Sequence, residues 1–529
     1  MDYQYYDEPD YIDDDGGSED IYPDHESSPD HRYYHNGNAY ENDNSLMDRL
    51  GDSYANCILP SLGQVLSYLL PLLAGCLLSR LLTALYATTR QQQRRVLSPL
   101  HLINALCGLG MLYATLGERI LLLLLLSGIS YLLLQLVRLS PGLGKGQRGA
   151  VTIAVLCIGS QFIYELAIWQ QREDWPQLRG LQMVSNMKVI SLAFDMTATG
   201  TPGSSELRMP SILAYLGYIY NPASCVLGPW LSYSRYLDSL CHKPHWRRSL
   251  LQMLCNVLLC LLALSVSNCI APALGELHLQ DQDEVEATRR GGVSHWLLMY
   301  TGALSVRSSH YFVSFLSQAL LAAAGQRLDS TQHASSQLLG DLVSRPWHIE
   351  WPHSLSALVR CWNVPMHEWL KRYVYAASKQ RSRHNTIVAV FCTYIVSSLL
   401  HGMDLRIYLV LLSLATFAEG ETMLRRHLAT LSNACVAANP CPGAERCRYT
   451  HCPRQRGWRC FSSWLVAFTN VAFTLLAIFH LAYLGIVLLN ETLTVETDHE
   501  MPFMFHWAAA GYLSHYIGIG MFMLYLFIS

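Results

Sequence analysis

Long apolar runs alternate with short polar segments over most of this chain. A run of about twenty apolar residues is long enough to cross a hydrocarbon core of about 30 Å as a helix. Such runs lie at roughly 58–86, 98–117, 119–139, 149–170, 250–275, 296–324, 386–402, 405–424, 463–490 and 503–528. The pattern predicts an all-α polytopic membrane protein, a bundle of about ten to eleven transmembrane helices.

Two further apolar segments, 187–196 and 211–233, are interrupted by polar residues, glycine or proline. These breaks are Asn186, Pro210, Pro222, Gly228 and Pro229. Broken segments at membrane depth occur only where they are buried in protein or line a cavity. We therefore expect re-entrant and interfacial helices in addition to the spans.

Residues 1–56 differ from the rest of the chain, being rich in Asp, Glu and Tyr and poor in aliphatic residues. Such a segment cannot bury enough apolar surface to fold, so it is predicted to be a disordered acidic tail. It shows no signal-peptide pattern, and the first apolar run is expected to direct insertion. The predicted transmembrane domain is 57–529, which contains a basic, cysteine-rich loop at 425–462.

The charges of the loops predict an orientation, because basic residues in short loops mark the cytoplasmic side of a membrane. Basic residues cluster at 87–97, 140–148 and 425–462, whereas 276–294 and 490–502 are acidic. One alternation satisfies all five segments, with the basic ones cytosolic and the acidic ones lumenal. The tail is then lumenal too.

His401 ends the apolar span TIVAVFCTYIVSSLLHG (Thr386–Gly402), on the side predicted to face the lumen. Ionisable side chains inside a membrane are costly and are candidates for function. An imidazole also titrates near neutrality and can serve as a general base. Ser398 and Tyr394 lie roughly on the same helical face. The alternative is a core histidine bonded to a neighbouring carbonyl.

The segment Arg360–Asn385 is basic with an apolar stripe at helical spacing, to which Trp369 belongs. It predicts an amphipathic helix at the cytosolic interface, with its Lys and Arg on lipid headgroups. Alternatively, some of these basic side chains bind the phosphates of an anionic cofactor. Asn363 stands near its start, where a turn or a helix cap also explains an asparagine.

Most of the sixteen cysteines lie in apolar runs, where cysteine behaves as a small hydrophobe. The exceptions are Cys435, Cys441, Cys447, Cys452 and Cys460, which share a loop with His451. Their spacings fit no standard zinc finger, so no metal is predicted. Lipidation or unmodified thiols are favoured, and zinc stays an open alternative.

Two motifs carry a resemblance to a known family. Trp-Asn-x-Pro-Met-x-x-Trp-Leu, starting at Trp362, and the later span ending in Leu-Leu-His-Gly resemble the signature of membrane-bound O-acyltransferases. In that family an Asn or Asp and an intramembrane His face a central tunnel, and Asn363 and His401 match these positions. The strings at 184–196, 221–233 and 477–485 are similar to members that acylate secreted Wnt proteins.

The resemblance implies transfer of palmitoleoyl from palmitoleoyl-CoA to a serine of a Wnt protein in the endoplasmic reticulum membrane. His401 would remove the serine proton, and Asn363 would orient the donor or stabilise the oxyanion. The residues expected to bind substrate are Trp369, Tyr394, Ser398, Arg381 and Arg383. The expected partners are acyl-CoA, a Wnt acceptor and membrane lipid, with no metal and no nucleic acid.

Three alternatives remain at this point. The first is a family member that acylates a lipid or a different protein. The second is a proton-coupled transporter in which the intramembrane histidine relays protons, although transporters often carry internal repeats and none is evident. The third is an inactive membrane scaffold.

Overall fold

The structure is a computed structural model of the 529-residue chain. The residues that it describes are 54–89, 97–140, 147–167, 175–197, 208–241, 245–277, 292–328, 339–340, 342–382, 385–489 and 504–529. The predicted acidic tail lies outside this set except for residues 54–56, which begin a π-helical turn at Tyr54–Ile58.

The described part of the chain is built from helices and irregular connections, with one isolated parallel β-bridge between Ala434 and His451. In the first half the helices are α1 (Leu59–Thr89), α2 (Leu97–Leu116), α3 (Ile120–Leu139), α4 (Gln147–Ala167), α5 (Trp175–Thr197), α6 (Ile212–Ile219), α7 (Tyr233–Cys241), α8 (Trp246–Ser265) and α9 (Ala271–Leu277). In the second half they are α10 (Val293–Ala324), α11 (Pro346–Glu350), α12 (Leu355–Trp362), α13 (Val364–Trp369), α14 (Ala376–Arg381), α15 (Thr386–Leu400), α16 (Leu405–Leu431), α17 (Pro453–Arg456), α18 (Phe461–Gly485), α19 (Phe505–Ala509) and α20 (Leu513–Ile528).

Six stretches of described helix are long and apolar enough to cross a membrane. They are Ala55–Tyr86, Leu97–Leu139, Gln147–Ala167, Trp246–Gly275, Leu405–Leu431 and Phe461–Leu488. Two shorter apolar helices, α15 and α20, add to them. The predicted all-α polytopic membrane fold is confirmed.

The stretch Leu97–Leu139 comprises two helices. At 1.5 Å per residue a straight helix of 43 residues would extend about 65 Å, twice the hydrocarbon core. Gly117 has a φ of +58°, and this left-handed residue separates α2 from α3. The sequence prediction of two spans, 98–117 and 119–139, matches this division.

The interrupted apolar segments behave differently from each other. Asn186 does not break its helix, because α5 is continuous through it and its amide donates to the Cys157 carbonyl of α4. The connection between α6 and α7 is irregular and buried. Just before this connection, Lys188 of α5 is fully buried and donates to the carbonyls of Tyr218 and Ile219, the last two residues of α6. These bonds satisfy backbone groups that the bilayer cannot.

The buried hydrophobic residues form separate clusters. The largest contains residues from each of the helices α2 through α7, together with Trp369, Tyr373 and Leu400. A second cluster joins α1, α8 and α10. Outward-facing leucines such as Leu121 and Leu132 of α3 are exposed, as expected for helices whose outer faces contact lipid.

A disulfide connects Cys57, in the turn before α1, with Cys269, in the π-helical turn after α8. The expectation that cysteines in apolar runs are small hydrophobes is therefore wrong for Cys269. Both positions lie near loops predicted to be lumenal, and disulfides persist in oxidising compartments such as that lumen. The disulfide agrees with the orientation expected from the charges.

Candidate active site

His401 lies directly after the last turn of α15. Its backbone N–H donates to the Ser398 carbonyl at 2.9 Å, and Gly402, with a φ of +80°, ends the helix. Among the described residues, none forms a hydrogen bond with the His401 imidazole, which is partly exposed. The ring can therefore accept a proton from a bound substrate.

Two polar side chains of α4 hold the backbone on both sides of His401. Gln161 donates to the Leu400 carbonyl at 3.0 Å, and Glu165 accepts from the Met403 N–H at 2.8 Å. The two side chains are four residues apart, on one face of α4. Sequence reasoning did not predict these contacts of Gln161 and Glu165. The pair of polar residues at helical spacing was the available signal.

Gly402 packs closely against Glu165 of α4 and Arg179 of α5. A Cβ atom there would lie 2.5 Å from Oε2 of Glu165 and 2.9 Å from Cδ of Arg179. The Arg179 guanidinium lies 3.8 Å from Oε1 of the same carboxylate. The glycine of the Leu-Leu-His-Gly motif thus allows α4 to approach the backbone that carries the histidine.

Asn363 connects α12 to α13 in an extended conformation. Its side-chain oxygen accepts a hydrogen bond from the Met366 N–H at 3.0 Å, so it caps α13. This bond also fixes the orientation of the amide, because only the oxygen can accept. The NH₂ group of the same amide has no hydrogen-bond partner among the described residues. The cap leaves the amide free to donate to a substrate oxygen.

His310 of α10 contacts the residue that precedes Asn363. Its Nε2 donates to the carbonyl of Trp362, next to Asn363, at 2.7 Å, and its ring stacks on the Trp362 indole at 4.7 Å. Sequence reasoning did not single out His310, because nothing local in α10 marks it.

The residues expected to bind substrate lie in different surroundings. Trp369 is 1% exposed in the core, and its indole N–H donates to the Met187 carbonyl at 3.0 Å. Ser398 is buried and donates to the Tyr394 carbonyl of its own helix, and Tyr394 is half-buried. Arg381 is exposed in α14, and Arg383 lies outside the described residues. Their roles remain predictions.

Some residues of the basic segment after Asn363 form bonds within the protein, and others are exposed. Arg372 forms an ion pair with Asp195 at 2.8 Å, and Tyr373 donates to the same carboxylate. Lys371 and Arg381 are exposed. These outward cations suit either lipid headgroups or the phosphates of a soluble cofactor.

The structure places a proton acceptor, His401, at the end of an apolar helix and an amide donor, Asn363, at the start of α13. An imidazole can deprotonate a hydroxyl and an amide N–H can stabilise an oxyanion, the two requirements of acyl transfer.

Comparison with known proteins bears on the same residues. Residues 111–457, which include Asn363 and His401, match the model of MBOAT, the membrane-bound O-acyltransferase family. The chain is 54% identical to protein-serine O-palmitoleoyltransferase porcupine of Drosophila melanogaster over 552 residues, covering 100% of both chains. It is 33% identical to the protein of the same name from Homo sapiens, covering 89% of this chain and 96% of the human one.

A lysophospholipid acyltransferase of Schizosaccharomyces pombe is 23% identical over 307 residues, covering 52% of this chain and 58% of its own. The family model covers more than half of this chain, and the fly and human relatives match along most or all of their lengths. The chain therefore belongs to the membrane-bound O-acyltransferase family.

Proposed function

We propose that this enzyme transfers a palmitoleoyl group from palmitoleoyl-CoA to a serine hydroxyl of a Wnt protein in the endoplasmic reticulum membrane. The observation that carries the proposal is the full-length similarity to a protein-serine O-palmitoleoyltransferase, combined with the way α4 holds His401. The Wnt acceptor is supported by the strings at 184–196, 221–233 and 477–485 noted above.

In the proposed mechanism His401 is the general base. Its neutral imidazole takes the serine proton as the hydroxyl oxygen attacks the thioester carbon. The NH₂ group of Asn363 donates a hydrogen bond to the oxyanion that develops on the former carbonyl oxygen. The intermediate collapses by breaking the carbon–sulfur bond, and the imidazolium returns the proton to the departing CoA thiolate. The products are the serine ester and free CoA.

The proposed orientation supplies the two substrates from opposite sides. The CoA head is anionic and cytosolic, and Arg381 and Arg383 would bind its phosphates. Trp369, Tyr394 and Ser398 would shape the slot for the acyl chain. The acceptor serine would arrive from the lumen, on the side predicted for His401. Residues 57–529 would form the catalytic domain, with 1–56 as a tail outside it.

The test uses purified protein in lipid nanodiscs with labelled palmitoleoyl-CoA and a Wnt-derived serine peptide. His401→Ala is expected to abolish labelling of the peptide, whereas His348→Ala, at an exposed histidine of α11, serves as the matched control. A peptide with alanine in place of the serine should stay unlabelled. Full labelling by His401→Ala would refute the role of the base. Label that enters a lysophospholipid but not the peptide would favour the lipid acceptor used by the yeast relative.

A further inference from the structure

The loop between α16 and α18 brings four cysteine thiols together. The Sγ atoms of Cys435, Cys441, Cys447 and Cys452 all lie within 4.8 Å of one another. Two of the pairs, Cys441–Cys452 and Cys435–Cys447, are 3.7 Å apart. Cys460 and His451 of the same loop are not members of this group. We infer that the four cysteines bind one zinc ion in a closed structural site.

The sulfur–sulfur distances fit this ion. Zinc–thiolate bonds of about 2.3 Å directed to the corners of a tetrahedron place neighbouring sulfur atoms about 3.8 Å apart. A disulfide would need sulfur atoms at about 2.0 Å. Four cysteines complete the coordination shell, so the site has no open position for a substrate and its role is structural.

The compartment also favours metal over disulfides. The loop is basic and therefore predicted to be cytosolic, where cysteines are kept reduced and clusters of them more often bind metal. The cysteines that do pair, Cys57 and Cys269, lie near the loops predicted to be lumenal. A zinc ion with four thiolates carries a net charge of −2. Exposed arginines of the loop offset that charge: Arg446, Arg448, Arg454 and Arg456.

The apolar core of the loop is small. Its hydrophobic cluster consists of two alanines and two valines, Ala429, Ala434, Val436 and Val466. Small modules with such cores need a disulfide or a metal to fold. Two ligands directly follow the bridged residues: Cys435 follows Ala434 and Cys452 follows His451. A metal there would fasten the two ends of the loop across that bridge.

The fastened loop packs against the segment that leads to Asn363. Ser354, which caps α12, donates to the Ala438 carbonyl at 2.8 Å, and the His353 ring donates to the Ala437 carbonyl at 3.0 Å. Arg425 of α16 is fully buried and donates to carbonyls of both segments, those of Val436 and His353. Because α12 ends at Trp362, zinc would support the placement of Asn363 from a distance.

The direct test is the metal content of the freshly purified, full-length protein, measured by inductively coupled plasma mass spectrometry without added zinc. We expect about one zinc ion per chain. Cys447→Ser and Cys452→Ser should lower the zinc content at least about tenfold, whereas Cys460→Ser, the control in the same loop, should leave it unchanged. Metal content does not depend on acyl transfer, so this result stands apart from the proposed function.

A second measurement covers variants that fail to fold. Alkylation of the native wild-type protein, followed by mass spectrometry of the loop peptides, should leave all four thiols unmodified until a chelator is added. Wild-type protein without zinc would overturn the inference. So would iron in its place, disulfides linking these cysteines, or acyl groups on them.

Discussion

Replacing Gly402 with alanine tests whether close packing on α4 positions His401. The new Cβ would lie 2.5 Å from Oε2 of Glu165, and an ordinary contact needs about 0.9 Å more, since such contacts begin near 3.4 Å. The positive φ of +80° adds about 1–2 kcal/mol of backbone strain. The Glu165 carboxylate must therefore move by nearly 1 Å, which disturbs its hydrogen bond with the Met403 N–H and its hold on the backbone after His401.

Loss of this support would misplace His401, and a misplacement of about 1 Å at a catalytic group can lower the rate of an enzyme about a hundredfold. We expect Gly402→Ala to reduce palmitoleoyl transfer to a serine peptide by about this factor, measured as initial rates in nanodiscs. The control is Gly511→Ala, because Gly511 also has a positive φ, of +58°, but a Cβ there meets nothing within 4 Å. The control should lose thermal stability while keeping most of its rate. Equal rates for Gly402→Ala and wild type would refute the reasoning.

Three further predictions concern other parts of the chain. Asn363→Asp keeps the oxygen that caps α13 but removes the NH₂ donor. The rate of acyl transfer should therefore fall about 10²–10³-fold with little change in melting temperature. A lower rate together with a lower melting temperature would indicate a structural role alone. Replacing Arg381 and Arg383 together with glutamine should raise KM for palmitoleoyl-CoA several-fold and leave kcat nearly unchanged, and an unchanged KM would favour lipid anchoring. Lys188→Met removes the donor to the carbonyls of Tyr218 and Ile219. It should lower the free energy of unfolding by about 3 kcal/mol in denaturant titrations. An unchanged unfolding midpoint would contradict the role assigned to these bonds.

The sequence was sufficient to predict the helical class and most spans, because membrane crossing depends on local apolar length. The ends of some helices could also be predicted, because Gly117 and Gly402 stand at the ends of apolar runs. Both have a positive φ in the structure. The helix cap at Asn363 was foreseen as one of two explanations. These features depend on neighbouring residues only.

The contacts that hold the site could not be predicted from the sequence. Gln161 and the Leu400 carbonyl are 239 positions apart, and the two cysteines of the disulfide are separated by 212. Neither distance leaves a periodic pattern in the chain. The proximity of the four cysteines was not predictable for another reason: their spacings fit no standard finger, and they come together where the loop folds back through the bridge between Ala434 and His451.

A structure of the protein bound to a non-hydrolysable palmitoleoyl-CoA analogue would show whether His401 and Asn363 act on one thioester. We expect the imidazole about 3–4 Å from the place that the attacking hydroxyl would occupy, and the Asn363 amide about 3 Å from the carbonyl oxygen. An analogue bound away from both side chains, with packed protein between them and the thioester, would refute the proposed mechanism.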